Sequence, residues 1–288
     1  MIRIALPNKG RLADDARALL TDAGLAAVSL TDRALTARLG DDYEALFVRA
    51  QDIPEFVADG VVDAGITGLD LVKEAQRPVA ECMDLGFGKC RLVVAVREDM
   101  VLDRVVDVEP GTRVATAFPR LTARYFAELG VEVDVVPVSG AAEIAPHAGI
   151  APIVVDLTST GSTLKVNGLR EVATILESSA RLVIPIGGVP GGPERRVRVE
   201  MLAEAMASVL RARERRYMMA NVPRAALDRV KEILPGLNGP TVIDILNGGT
   251  MVAVHAVVAT AAVFRTIADL KSLGAEGILV TRIERLAP

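Results

Sequence analysis

The sequence predicts an α/β protein with two lobes and a smaller C-terminal domain, on three observations. Short apolar strands alternate with amphipathic helices from the N-terminus onward. A Gly/Pro-rich stretch, "GGVPGGPE", followed by a long helical pattern closes the two-lobe part. The final seventy or so residues then run strand, helix, strand, strand, helix, strand. The length of 288 residues suits two domains at about 150 residues each, or three small ones. Half the residues are hydrophobic, aromatics are 3% and Trp is absent, so the core is expected to be aliphatic.

Residues 2–6 read as a strand and 7–11 as a loop. Leu12, Ala16, Leu19, Leu20 and Ala23 form one face of a helix that stops at Gly24. "EALFVRA" is a second strand, and "DIPEFVADG" is a helix with Asp52 and Glu55 at capping-box spacing. "VVDAGITGLDLVKEA" gives strand, glycine turn and helix again, with Gly65 and Gly68 around the turn. Strands apolar on both faces predict a mostly parallel, doubly covered sheet. "KCRLVVAV", "GTRVATAF", "VEVDVVPV" and "GIAPIVVD" follow at α/β spacing and define a second lobe, 87–179. "RLVIPI" reads as a strand returning to the first lobe, which is therefore 1–86 plus 180–212. A helix over 194–215 leads out, with Val199, Leu202, Ala203, Met206 and Leu210 on one side. Residues 213–288 form the C-terminal domain, whose βαββαβ order is the ferredoxin-like split motif. "NGG" marks a hairpin between its middle strands.

Charge and cysteine content exclude several classes. Thirty-three Lys and Arg against 37 Asp and Glu leave a net charge of −4, which provides no field for DNA or RNA. Cys82 and Cys90 are too few for a disulfide framework and lack metal-ligand spacing. The N-terminus lacks a secretory signal pattern, and no apolar run is long enough for a membrane span. The expectation is a soluble cytoplasmic protein with no nucleic-acid or membrane partner.

The stretch "VVDLTSTGSTLKVNG" raises the chemical question. A strand ending at Asp156 would put that carboxylate at the carboxyl edge of a sheet, where open α/β folds bind ligands. Thr158, Ser159, Thr160, Gly161, Ser162 and Thr163 follow; their hydroxyls and amides could wrap a phosphate, with a helix starting near Ser162. A carboxylate beside such a loop suits a ribose diol. An ordinary Ser/Thr-rich turn with Asp156 as a cap fits the stretch equally. Lys9 and Arg11 in "PNKGRL" lie in the loop after the first strand, as an anion site or a solvated loop. Arg49 ends a strand and calls for an anionic partner. Glu143, on a short helix ahead of the Asp156 strand, either faces the same crevice or is simply solvated. His147 and His255 are isolated and read as structural. Neither nucleotide-binding glycine fingerprint, nor a Ser-His-Asp order, thiol nucleophile or HExxH is present.

The segment "EIAPHAGIAPIVVDLTSTGSTL", 143–164, closely resembles the signature of the ATP phosphoribosyltransferases. It matches at Glu143, Gly149, Ala151, Val154, Asp156, Leu157, Thr160, Gly161, Thr163 and Leu164. The resemblance continues in "IALPNKGRL", "RAQDIPEFV", "DAGITGLDLV", "VATAFPRLT", "YMMANVP", "PGLNGPT" and "GAEGILVTRIERL". It implies a two-lobed, periplasmic-binding-protein-like catalytic core and, in the long form, a C-terminal regulatory domain that binds histidine. It also implies Mg²⁺ dependence, with metal ligands unassigned, and homo-oligomers from dimer to hexamer. The implied reaction joins N1 of ATP to C1 of phosphoribosyl pyrophosphate and releases pyrophosphate, the first step of histidine biosynthesis.

Carried onto this chain, the resemblance gives the 5-phosphate to residues 158–163 and the ribose hydroxyls to Asp156 with Glu143. Lys9, Arg11 and Arg49 become the catalytic cations facing the pyrophosphate and the ATP phosphates. Histidine is assigned to Asn221, Leu237, Thr241, Gly274 and Ala275. The rival class is a solute-binding module of the same bilobal shape. Such binders are normally exported, and a simple binder has no need of cations in one lobe opposite a phosphate loop in the other.

Overall fold

The computed structural model describes residues 1–27, 34–246 and 249–287. The chain divides into two compact units: Met1–Thr21 with Leu25–Ala203, and Asp22–Gly24 with Glu204–Pro288. The predicted hairpin turn at Asn247 and Gly248 lies outside the described residues.

The first unit begins with β1 (Ile2–Pro7), α1 (Ala13–Asp22), β2 (Thr36–Leu39) and β3 (Tyr43–Val48). A 3₁₀ turn at Ala50–Asp52 then leads into α2 (Ile53–Ala58), followed by β4 (Ala64–Gly68), α3 (Leu69–Ala75) and β5 (Val79–Asp84). The second group is β6 (Cys90–Arg97), β7 (Thr112–Thr116), α4 (Pro119–Glu128), β8 (Val133–Pro137), β9 (Ile153–Thr158), α5 (Ser162–Val166) and β10 (Leu169–Ser178). The chain then returns in β11 (Ala180–Pro185) and leaves through α6 (Pro193–Arg213). Two sheets result, in the orders β2-β3-β1-β4-β11-β5 and β10-β6-β9-β7-β8.

Both sheets are mixed rather than mostly parallel. The parallel ladders are β1 with β3 and β4, and β7 with β8 and β9. β11 runs antiparallel between β4 and β5, and β6 runs antiparallel to β9 and β10. The continuous apolar runs are real, but burial on both faces follows from a central position in either kind of sheet. Three strands have no counterpart in the sequence expectations: β2, β5 and β10. All three are edge strands, where charged side chains such as Glu81 and Glu177 break the apolar pattern.

Ile53, Val57 and Val72 from α2 and α3 pack with Ala5 and Val183 of the first sheet. The second sheet buries Leu92, Val94 and Ile153 with Phe118, Leu121 and Phe126 on one side, and Val93, Val154 and Leu164 on the other. The expected capping box is not formed, since the Asp52 side chain makes no cap hydrogen bond. The 3₁₀ turn ahead of α2 leaves Asp52 in helical geometry (φ −88°, ψ −15°) rather than the extended geometry of an N-cap.

The two sheets meet at a paired crossover. Residues 85–89 lead from β5 to β6, and Ser179 alone joins β10 to β11. The strands of this crossover hydrogen-bond to each other, Leu85 N to Ala180 O and Ala180 N to Phe87 O, both at 2.9 Å. Glu74 of α3 adds a second tie: its carboxylate accepts from Arg120 N and Leu121 N, each at 2.9 Å, at the start of α4.

In the second unit, β12 (Arg215–Pro223), α7 (Leu227–Ile233), β13 (Thr241–Asp244), β14 (Met251–Ala259), α8 (Val263–Ser272) and β15 (Glu276–Arg282) follow α6. Their sheet, β13-β14-β12-β15, is wholly antiparallel, as the βαββαβ reading requires. Alternation in β12 and β14 sends Met218, Ala220, Val222, Val252, Val254 and Ala256 into a core with Val230 and Leu270 of the two helices. Asn221, Met219 and His255 take the opposite face.

Candidate functional site

β9 is apolar through Val155, then delivers Asp156 and Thr158 at its carboxyl end. The turn that follows is held by its own side chains. Buried Thr158 accepts at Oγ1 from Gly161 N at 2.8 Å, and the Thr160 and Ser162 hydroxyls lie 2.9 Å apart. Gly161 sits at φ +76° and caps α5, which starts at Ser162; a Cβ there would meet Glu171 Oε1 at 3.1 Å. Glu171 is itself fixed by Arg91 at 3.1 Å. Ser159, Thr160, Ser162 and Thr163 are left exposed, beside first-turn amides that have no intrahelical partner.

Glu143 stands in a 3₁₀ turn, Ala142–Ile144, close enough for its carboxyl to act on that of Asp156. Burial, together with the Glu143 charge, pushes Asp156 up to about 6, although the Leu157 N–H at 2.7 Å opposes the shift. Neighbouring carboxyls disfavour each other's ionisation and present oxygen acceptors when ionised.

Lys9, Arg11 and Arg49 share the other sheet. β1 and β3 are parallel neighbours with Pro7 opposite Val48, and Asn8 N donates to Val48 O at 2.8 Å. The loops carrying Lys9 and Arg11 and the residue Arg49 therefore leave the same sheet edge. All three are exposed. Only Arg11 faces a carboxylate, Asp70 Oδ2 at 3.8 Å; no described carboxylate lies within ion-pair distance of Lys9 or Arg49.

A cavity of about 470 Å³ lies where the two sheets join. Ser159 of the loop lines it together with Lys89, Cys90, Arg91, Ser178 and Arg181. Lys89, Arg91 and Arg181 have no counterpart in the sequence expectations, although "GKCR" supplies a visible pair of cations beside a glycine. Arg181 is neutralised by Asp84 at 2.7 Å and Glu81 at 3.3 Å. Both histidines are tied structurally: His147 Nε2 is 2.6 Å from Asn167 O, and His255 Nδ1 is 2.6 Å from the Tyr217 hydroxyl. Among the described residues no group of three or more His, Cys, Asp or Glu could hold a metal ion. No described helix is long and apolar enough to cross a membrane.

In the second unit, the five candidate effector residues divide between the two sides of the sheet. Asn221 pairs with Ala253 and Glu276, and Thr241 pairs with His255, so both occupy the face away from the helices. Leu237 is exposed in the turn before β13. Gly274, at φ +81°, lies against Pro223, and Ala275 packs with the helix-side core.

This combination of two mixed sheets, a Thr158–Thr163 loop and a ferredoxin-like C-terminal unit coincides with known proteins. Residues 49–206 match the family model described as ATP phosphoribosyltransferase, and residues 212–285 match the model of its C-terminal domain. The ATP phosphoribosyltransferase of Gemmatimonas aurantiaca is 61% identical over 292 residues, covering 100% of both chains. That of Haloarcula marismortui is 50% identical over 287 residues, covering 99% of each. Among solved structures, an ATP phosphoribosyl transferase (HisG:HisZ) complex from Thermotoga maritima superposes with a TM-score of 0.63 at 28% identity, covering 72% of this chain and 99% of that one. The chain belongs to the ATP phosphoribosyltransferase family, pentosyltransferases of the first step of histidine biosynthesis.

Proposed function

We propose that the chain transfers the phosphoribosyl group of phosphoribosyl pyrophosphate to N1 of ATP, giving phosphoribosyl-ATP and pyrophosphate, under feedback inhibition by histidine. The observation that carries this reading is the Glu143–Asp156 carboxyl pair beside the Thr158–Thr163 turn. A polar turn serving only its own fold has no use for two carboxyls crowded together at its base, since each raises the cost of ionising the other.

In this reading the exposed hydroxyls and amides of residues 159–163 bind the 5-phosphate. Ionised Asp156, with Glu143, accepts hydrogen bonds from the ribose hydroxyls. The C1–O bond to pyrophosphate breaks as the C1–N1 bond forms, and positive charge develops on the ribose. Lys9, Arg11 and Arg49 bind the departing pyrophosphate and the ATP phosphates, so catalysis rests on positioning and charge stabilisation. No strong general base is required, because N1 of adenine attacks through its lone pair.

Mg²⁺ fits the donor set, because this ion is commonly held by one or two carboxylates together with substrate phosphates. Glu143 and Asp156 would hold it, and it would supply neutralisation of diphosphate charge. The absence of a larger protein cluster is compatible with that mode. The two thiols, Cys82 and Cys90, are unpaired, which suits the reducing cytoplasm. Assembly as a homo-oligomer, dimer to hexamer, belongs to the same proposal; light scattering with and without histidine measures it.

The decisive assay follows phosphoribosyl-ATP formation from ATP, phosphoribosyl pyrophosphate and Mg²⁺, with and without histidine. Lack of product in every condition would refute the reaction. In the same assay Asn221→Ala is expected to lose histidine inhibition while keeping turnover; unchanged inhibition would put the effector elsewhere.

A further inference from the structure

Among the described residues of the first unit Asp70 is the most deeply buried acid, 1% exposed, and neither the loop nor the carboxyl pair accounts for it. It stands in the first turn of α3, where its Oδ1 accepts from the Ser178 hydroxyl at 2.5 Å and its own N–H donates back to Ser178 Oγ at 3.0 Å. Ser178 closes β10, one residue before the crossover, and the neighbouring Ser179 carbonyl accepts from Leu69 N at 3.0 Å. The second carboxylate oxygen faces the Arg11 guanidinium at 3.8 Å. The buried Cys90 thiol lies near Arg11, Asp70 and Ser178, and burial pushes its pKa up.

Two features set this carboxylate apart from an ordinary fold-stabilising acid. Burying a charge behind one short hydrogen bond and one long ion pair gives little stability in return. The chain also makes room for it: Gly68 has an extended backbone (φ −77°, ψ 145°) that any residue adopts, yet a Cβ there would fall 2.3 Å from Asp70 Oδ1. Gly68, prominent in "DAGITGLDLV", is explained by the space Asp70 occupies.

We propose that Asp70 is a positioning residue for Arg11. One edge of the guanidinium is directed toward Asp70, which leaves its other N–H groups for a di- or triphosphate, and the Ser178 bonds register Asp70 to the crossover between the sheets. Arg11 is thereby held relative to both sheets rather than to its own loop alone. The inference rests on the proposed role of Arg11 toward substrate phosphates.

The test is a double-mutant cycle in the full-length protein with Asp70→Asn, Arg11→Ala and the combination, reading kcat and KM for both substrates alongside thermal melts. Asp70→Asn is expected to lower kcat/KM by about tenfold to a hundredfold, mainly in kcat, as misplacement of a charged group does. Added to Arg11→Ala, it should cost nothing further. An equal loss in both backgrounds would overturn the positioning role while leaving Arg11 intact as a phosphate contact. Arg11→Ala with wild-type kinetics would instead overturn the assignment of Arg11, and this inference with it. If Asp70→Asn does not fold, Ser178→Ala supplies the same cycle: a loss present with Arg11 and absent without it supports the proposal, and a loss in both backgrounds refutes it.

Discussion

The two halves of the site are built on opposite plans. The Thr158–Thr163 turn organises itself: Thr158 holds Gly161 at 2.8 Å, Thr160 meets Ser162 at 2.9 Å, and Glu171 backs the glycine from behind. Lys9 and Arg49 have no such internal support and stand exposed at one sheet edge, and Arg11 alone has a buried carboxylate before it. A neutral loop can hold its shape through a few internal hydrogen bonds and still present its other hydroxyls and amides to an anion. Exposed cations reach full strength only when an anion removes water from them. In the proposed reaction, ground-state binding would fall to one half and charge stabilisation to the other.

The sharpest challenge to that division is Asp156→Asn. Losing the ionised acceptor is expected to lower kcat/KM by about two orders of magnitude, as charged hydrogen bonds do. Because the folded-state value of Asp156 is raised to about 6, its favourable contribution to folding is present at low pH and is lost as pH rises through that value. The Asn variant should therefore melt higher than the parent above pH 6 while working far less well. Glu143→Gln removes the charge that helps raise Asp156, so the acid limb of the kcat/KM profile for phosphoribosyl pyrophosphate should move below about 6. A limb that does not move would dissociate the pair.

A smaller effect is expected from Gly161→Ala, which forces a side chain into left-handed backbone against Glu171. It should cost about 1–2 kcal/mol of stability, read by denaturation, and raise KM for phosphoribosyl pyrophosphate. Arg49→Ala should cost about tenfold in kcat/KM, with unchanged melting and a weaker dependence on salt. A change in stability would show that Arg49 is part of the fold. Thr163→Ala is the mildest, about threefold in KM for phosphoribosyl pyrophosphate and less for ATP; equal loss for both would erase the distinction between the halves.

Much of this organisation is legible in the residues. Apolar runs at 2–6, 90–97 and 153–158 announce buried strands, and the C-terminal order announces its own topology. The Asp156-to-Thr163 turn is legible because its partners are local. Edge strands such as β10 are hidden by charged residues, here Arg170, Glu171 and Glu177, that interrupt the apolar pattern. Asp70 is hidden for a different reason: Ser178, the group that explains it, lies 108 positions away, and no periodicity relates the two. Lys89 and Arg91 could be seen as cations, yet only the antiparallel pairing of β6 with β9, Arg91 opposite Thr158, brings Ser159 beside them, and the return of β11 adds Arg181 to the same cavity.

That return has a consequence for the order of events on the ribosome. β5 pairs with its sheet only through β11, so a nascent chain must extend through Pro185 before β5 has a strand partner. The strands of the second sheet lie without interruption between Cys90 and Ser178. The later-encoded sheet is thus able to complete first, and the N-terminal one waits, with β11 unmade and β5 unjoined, until synthesis has passed it by.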